Sequence, residues 1–140
     1  MRMKDNRGSV SSSTNEYRIS VAAEGWTSFG GPVESAFAWV SQRRTEHRED
    51  LQNVDVGIAR YRAVLHALGQ VARGATVHVF TDSVHARELR GERPVKEHKV
   101  AALRKEVWAL ISERKLHVNF GWVGREDNPA HELLMADADY

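Results

Sequence analysis

"VHVFTDSVHARELRG", residues 77–91, is the stretch on which the reading of the fold turns. Val77 and Val79 recur at the two-residue period of a strand, and the run stops at Thr81. Asp82 stands at that stop, and Ser83 opens a short helix-like segment that ends near Gly91. Two readings of Asp82 follow from residue type. Asp and Ser are preferred helix caps, so Asp82 holds the start of the next helix. Alternatively it is an acid mounted at the C-terminal tip of a buried strand, where α/β sheets carry their binding and catalytic groups.

The flanking sequence supplies the rest of a sheet. "EYRISVAA" (16–23) sets Tyr17, Ile19 and Val21 on one face of a first strand, and "EGWTSFGGP" (24–32) reads as a loop through Gly25, Gly30, Gly31 and Pro32. "SAFAWVSQ" is a second strand, and the charged "EHREDLQ" suits a third strand at a protected edge. "VGIARYRAVLHALGQVARG" (56–74) is a helix with Ile58, Tyr61, Leu65, Leu68 and Ala72 at three- and four-residue steps, and Gly74 as its stop. After the fourth strand, "TVHVFTD", and its short helix, "KEHKVAALRKEVWALISERK" carries an apolar stripe of Val100, Leu103, Val107, Leu110 and Ile111. "LHVNFGWV" is a fifth strand, "GREDN" a charged loop, and "PAHELLMADADY" a last helix with Pro129 in its first turn. Three consecutive strands imply antiparallel pairing, and the later alternation implies parallel crossovers, so the fold class is α/β with a mixed five-stranded sheet flanked by helices.

Composition bounds the function. The 140 residues fit one domain; 41% are hydrophobic and 28% charged, an ordinary globular balance. Residues 1–15 are polar and Ser-rich and read as a disordered tail ahead of a single domain over 16–140. A net charge of +1 gives no broad field for nucleic acid, so any such contact must be local. The chain has no cysteine, which excludes disulfides and thiolate metal sites and suits the cytoplasm. No stretch is long and apolar enough to span a membrane, and the N-terminus lacks the apolar core of a secretion signal.

These elements and motifs, in this order, resemble the type 1 ribonuclease H domain over nearly all of residues 16–136. "TDS" (81–83) is similar to that family's central strand tip, and "IARYRAVLHAL" to its first helix. "EG" (24–25) followed by "AFAWV" is similar to its first turn and second strand, and "FGWVGREDNPAHELL" to its closing strand, loop and helix. The resemblance implies a site of four carboxylates that hold two divalent metals, Mg²⁺ or Mn²⁺, ~4 Å apart for phosphodiester hydrolysis. Only Asp82 matches that pattern. Glu24 replaces an Asp, Arg60 stands where the first helix carries Glu, and His131 stands where the last helix begins with Asp.

Each substituted position has two readings. Glu24 is a ligand one methylene too long or an ordinary exposed acid. Arg60 grips a phosphate or is a solvated helix residue; a guanidinium ~5 Å from a divalent ion costs on the order of several kcal/mol even at an effective dielectric near 20. His131 completes a Glu24–Asp82–His131 ligand set suited to Mn²⁺, or merely covers the helix start. Arg125 matches a mobile-loop residue that assists product release in the family, or is solvated. Trp26 stacks on a sugar or base, or packs in or near the core, as is expected of Trp39, Trp108 and Trp122. Ser83 and Arg87, with Arg90, Arg93, Lys96 and Lys99, offer nucleic-acid contacts diluted by Glu88, Glu92 and Glu97. Asp55 lies near Arg60 but off the helical step, and His66, His78 and His98 read as surface or strand-face residues.

The leading expectation is a domain that recognises RNA–DNA hybrid or related duplex, with its hydrolysis weakened or lost and no bound metal if the site is dead. One alternative is an active, atypical Mn²⁺-dependent ribonuclease built on Glu24, Asp82 and His131. The other is an interaction module for which nucleic acid is irrelevant, its protein partners unspecified by the sequence.

Overall fold

In the computed structural model, which describes residues 15–27, 33–43 and 45–136, a central sheet runs in the order β3-β2-β1-β4-β5. The strands are β1 (Glu16–Thr27), β2 (Val33–Ser41), β3 (Glu46–Gln52), β4 (Thr76–Thr81) and β5 (His117–Trp122). The helices are α1 (Val56–Leu68), α2 (Ser83–Leu89), α3 (His98–Glu113) and α4 (Pro129–Met135). β1, β2 and β3 pair antiparallel, while β1–β4 and β4–β5 are parallel. This is the mixed sheet expected from the sequence, with the charged third strand at an edge. The tail expectation covers residues 1–15, of which all but residue 15 lie outside the described residues, as do Gly30, Gly31 and Pro32 of the loop.

One face of the sheet carries the main core. Ile19 and Val21 of β1, Phe37 and Trp39 of β2, and Val77 and Val79 of β4 are buried there against Tyr61, Val64 and Leu68 of α1 and Val107 and Ile111 of α3. Burying each such side chain is worth about 1.5–3 kcal/mol, so this layer dominates the stability. The other face holds a smaller cluster, in which Ala36, Ala38 and Ala22 form a shallow floor for Ala130 and Leu134 of α4. Small side chains on the strands let that seven-residue helix lie close to the sheet.

Three sequence expectations are corrected. α1 ends at Leu68 with Gly69 as its C-cap, not at Gly74. Gln70 N bonds the Ala67 carbonyl in a tight turn, and Val71 folds into the core instead of continuing the helix. Gly74 is then needed for another reason, since its φ of +81° is a turn conformation that side chains disfavour. β1 continues through Glu24, Gly25 and Trp26 to Thr27, residues expected to be loop, because they pair in register with β2 from Ala36 to Val33. Gly25 is required there, since a Cβ would lie 2.8 Å from the Cβ of Val56 at the start of α1. Finally, only Trp39 is buried; Trp26, Trp108 and Trp122 are 46%, 44% and 51% exposed. Trp108 keeps one edge inside, where its indole N–H donates to the Leu89 carbonyl and its ring meets Phe120 edge-on.

Candidate active-site cleft

The β1–β4 register explains how the site is assembled. Ile19 faces Val79 and Ser20 faces Phe80, so the next steps bring Asp82 level with Ala22, two residues before Glu24. Asp82 caps α2 and stands directly after the last residue of β4. Its Oδ1 caps α2 by accepting from the His85 amide at 2.9 Å, while its Oδ2 lies 3.3 Å from Arg60 Nε. Arg60 is on the second turn of α1, whose N-cap is Asp55, the acid the sequence had set aside as a site residue.

α4 brings in the last group. Asn128 caps that helix through its Oδ1, and its Nδ2 donates to the buried Val21 carbonyl at 3.0 Å. The helix start is thereby fixed to β1, and His131 comes beside Glu24, with Nδ1 3.2 Å from Oε2. Arg125, in a 3-10 turn over Arg125–Asp127, donates from Nε to His131 Nε2 at 3.1 Å and from Nη2 to Glu24 Oε2 at 2.5 Å. The Arg125 bond needs a lone pair on His131 Nε2, so the ring proton is on Nδ1, facing Glu24. Glu24, His131 and Arg125 thus form a closed cluster, joined by two hydrogen bonds from Arg125 and the close Glu24–His131 contact.

Glu24, Arg60, Asp82, Arg125 and His131 line one open cleft of about 310 Å³. Those five expected site residues are brought together. Trp26 shares the sheet face of Glu24 by strand alternation but lies outside the lining, exposed. Ser83 is the first residue of α2, and Arg87 is exposed in its last turn; neither lines the cleft. A second groove of about 510 Å³ adjoins it and shares Arg60, with Arg93 and Lys96 on its wall. Two acids there are engaged with the protein: Glu88 accepts from the Tyr61 hydroxyl at 3.1 Å, and Glu97 caps α3. Burial, followed by the charge of Glu88, pushes the Tyr61 hydroxyl pKa above its ordinary value.

As a two-metal centre the residues do not fit. Of the donor set, Asp82 is paired with one guanidinium and Glu24 with another, and His131 offers no lone pair while Arg125 holds it. Arginine is not deprotonated in proteins, so the two carboxylates are already neutralised by fixed cations that repel a divalent ion.

Two groups escaped the sequence. His85 is 1% exposed, packs edge-on to Tyr61, and shares a hydrogen bond with Thr81 Oγ1 at 3.0 Å, while its Nε2 has no partner. Burial and then the Arg60 charge hold its pKa at about 3, so this buried imidazole is neutral. Its position one turn after Asp82 was visible, but its burial was not. His47, Glu49 and His66 also converge, at the far edge of the sheet. Elsewhere His78 pairs with Glu16 at 2.9 Å, and His98 is the first residue of α3.

No protein-family model matches the chain, and no curated protein matches it. Solved structures do. Ribonuclease H1 from the halophilic archaeon Halobacterium salinarum is 18% identical, with a TM-score of 0.67 over 89% of this chain and 99% of that one. The LC11 ribonuclease H1 in complex with an RNA/DNA hybrid is 20% identical, with a TM-score of 0.66 over 84% of this chain and 92% of that one. The N-terminal ribonuclease H domain of a Mycobacterium tuberculosis protein is 20% identical, with a TM-score of 0.62 over 84% of this chain and 95% of that one. Together with the strand order, these matches establish the fold: the chain has the ribonuclease H-like α/β fold.

Proposed function

We propose that this domain recognises RNA–DNA hybrid or a related duplex and that its hydrolytic site is weakened or lost. The observation that carries this reading is the Arg60–Asp82 pair, which puts a permanent cation against the strand-tip carboxylate. The Asp82 side chain is 51% exposed, and an exposed pair of this kind is worth only about 1 kcal/mol or less. Arg60 can therefore exchange the carboxylate for a phosphate oxygen, a fork geometry for which guanidinium is suited. Its place between the two grooves, with Arg93 and Lys96 on the second, gives a local cationic track despite the chain's net charge of +1. A structural neighbour is a ribonuclease H1 in complex with an RNA/DNA hybrid, which supports the same ligand class here. The test is to measure hybrid binding against salt alongside cleavage with Mg²⁺ and Mn²⁺. Binding that falls steeply with salt, without turnover, is the expected result.

A second reading rests on the shared cleft of Glu24, Asp82 and His131. It is an active ribonuclease that uses Mn²⁺, and it requires Arg60 and Arg125 to leave their partners. Mn²⁺-dependent cleavage abolished by Asp82→Asn would favour it.

No described helix is long and apolar enough to cross a membrane. A cytoplasmic site of action is part of the same proposal and rests on the absence of cysteine.

A further inference from the structure

His47 and Glu49 are two residues apart on β3 and so share a face, and His66 comes from the last turn of α1. One ligand atom from each lies within 4.8 Å of the other two. His47 Nε2 is 3.2 Å from Glu49 Oε1, and the two imidazoles stack at 4.0 Å between centroids. All three side chains are half-buried, two of them on the edge strand β3, so water reaches them. The cluster is separate from the cleft: His66 is six residues beyond Arg60, about 9 Å along the helix.

We propose that His47, Glu49 and His66 bind a divalent transition-metal ion of the zinc class, clipping β3 to α1. Two imidazoles and one carboxylate are a three-ligand set that leaves room for water on the ion. Mg²⁺ and Ca²⁺ favour oxygen ligands, so this set selects against them. The neighbouring Arg48 is directed to Asp50 at 3.0 Å, and alternation puts it on the opposite face of β3.

Trp39 sets the terms of binding. Its indole N–H donates to His66 Nδ1 at 2.9 Å, which requires a lone pair there and places the ring proton on Nε2. An ion on Nε2 shifts that proton to Nδ1, where it would face the indole N–H. Metal and indole therefore compete for His66. Burial and the neighbouring His47 hold the His66 pKa below its ordinary value.

Titrating the full chain with Zn²⁺ at neutral pH, by calorimetry and tryptophan fluorescence together, tests this. The expected result is one equivalent bound with a change in emission. His47→Gln and His66→Gln should each weaken binding about tenfold or more. Trp39→Phe should tighten it, by removing the competing donor. Asp82→Asn should leave it unchanged, which separates this site from the cleft. Circular dichroism checks the fold of each variant, and His47→Gln on the edge strand decides the matter if His66→Gln does not fold. Affinity unchanged in His47→Gln, affinity lost in Asp82→Asn, or no binding up to about 1 mM Zn²⁺ would overturn the proposal.

Discussion

Arg60 Nε lies 3.3 Å from Asp82 Oδ2, so the acid at the tip of β4 is paired with a cation from α1 while its other oxygen caps α2. The pairing gives Asp82 two structural tasks and holds the Arg60 guanidinium beside the strand tip. It also makes the cleft sensitive to substitutions at Arg60 in a direction opposite to that of a metal centre.

Arg60→Ala is expected to weaken hybrid binding several-fold and to reduce the salt slope of log K by about 1, as loss of one phosphate contact does. Anisotropy titrations of a labelled hybrid at several salt concentrations check this. An unchanged slope would show that Arg60 stays on Asp82 in the complex.

The triple variant Glu24→Asp, Arg60→Glu, His131→Asp rebuilds four acids on the same scaffold. It is expected to bind Mg²⁺ or Mn²⁺ more tightly than the wild type and to raise hybrid cleavage by orders of magnitude. Arg60→Glu should contribute most, because it removes a cation and adds a ligand at one position. Metal calorimetry and a cleavage time course are the measurements.

His85 gives the fold an acid dependence. In the native state its pKa is about 3, against an ordinary 6.5, so only the unfolded chain takes up its proton below about pH 6.5. Its contribution is fully present above that pH and is lost as pH falls toward about 3, by roughly 1.4 kcal/mol per pH unit. His85→Phe should lower stability at neutral pH, since Thr81 loses its partner, yet flatten the decline between pH 6 and pH 4 (about two units within that window). Urea unfolding of both proteins across that range reads the difference.

Asn128→Ala removes both the α4 cap and the bond to the Val21 carbonyl. A loss of about 1–3 kcal/mol is expected by urea unfolding, with weaker hybrid binding because His131 and Glu24 lose their fixed spacing.

The architecture was legible where local pattern and burial agree. Val77 and Val79 alternate because one face of β4 meets the core, and the charges of Glu46–Gln52 announce an edge. The gathering of Glu24, Arg60, Asp82, Arg125 and His131 was also legible, through motif order. What escaped depends on contacts between distant residues. Gly69 rather than Gly74 ends α1 because Val71 finds a place in the core. Glu24 belongs to a strand because β2 pairs with it, which no local signal at "EGW" declares. His47, Glu49 and His66 carry no motif spacing, since strand register and helix packing alone bring them together.

The most direct test of the central claim is a shift assay at low salt with Mg²⁺, using a hybrid whose RNA strand is end-labelled and recovered from the shifted complex. The account expects a complex that dissolves as salt rises and yields the RNA strand intact. Recovery of cut RNA by the wild type, with cutting abolished by Asp82→Asn, would contradict it.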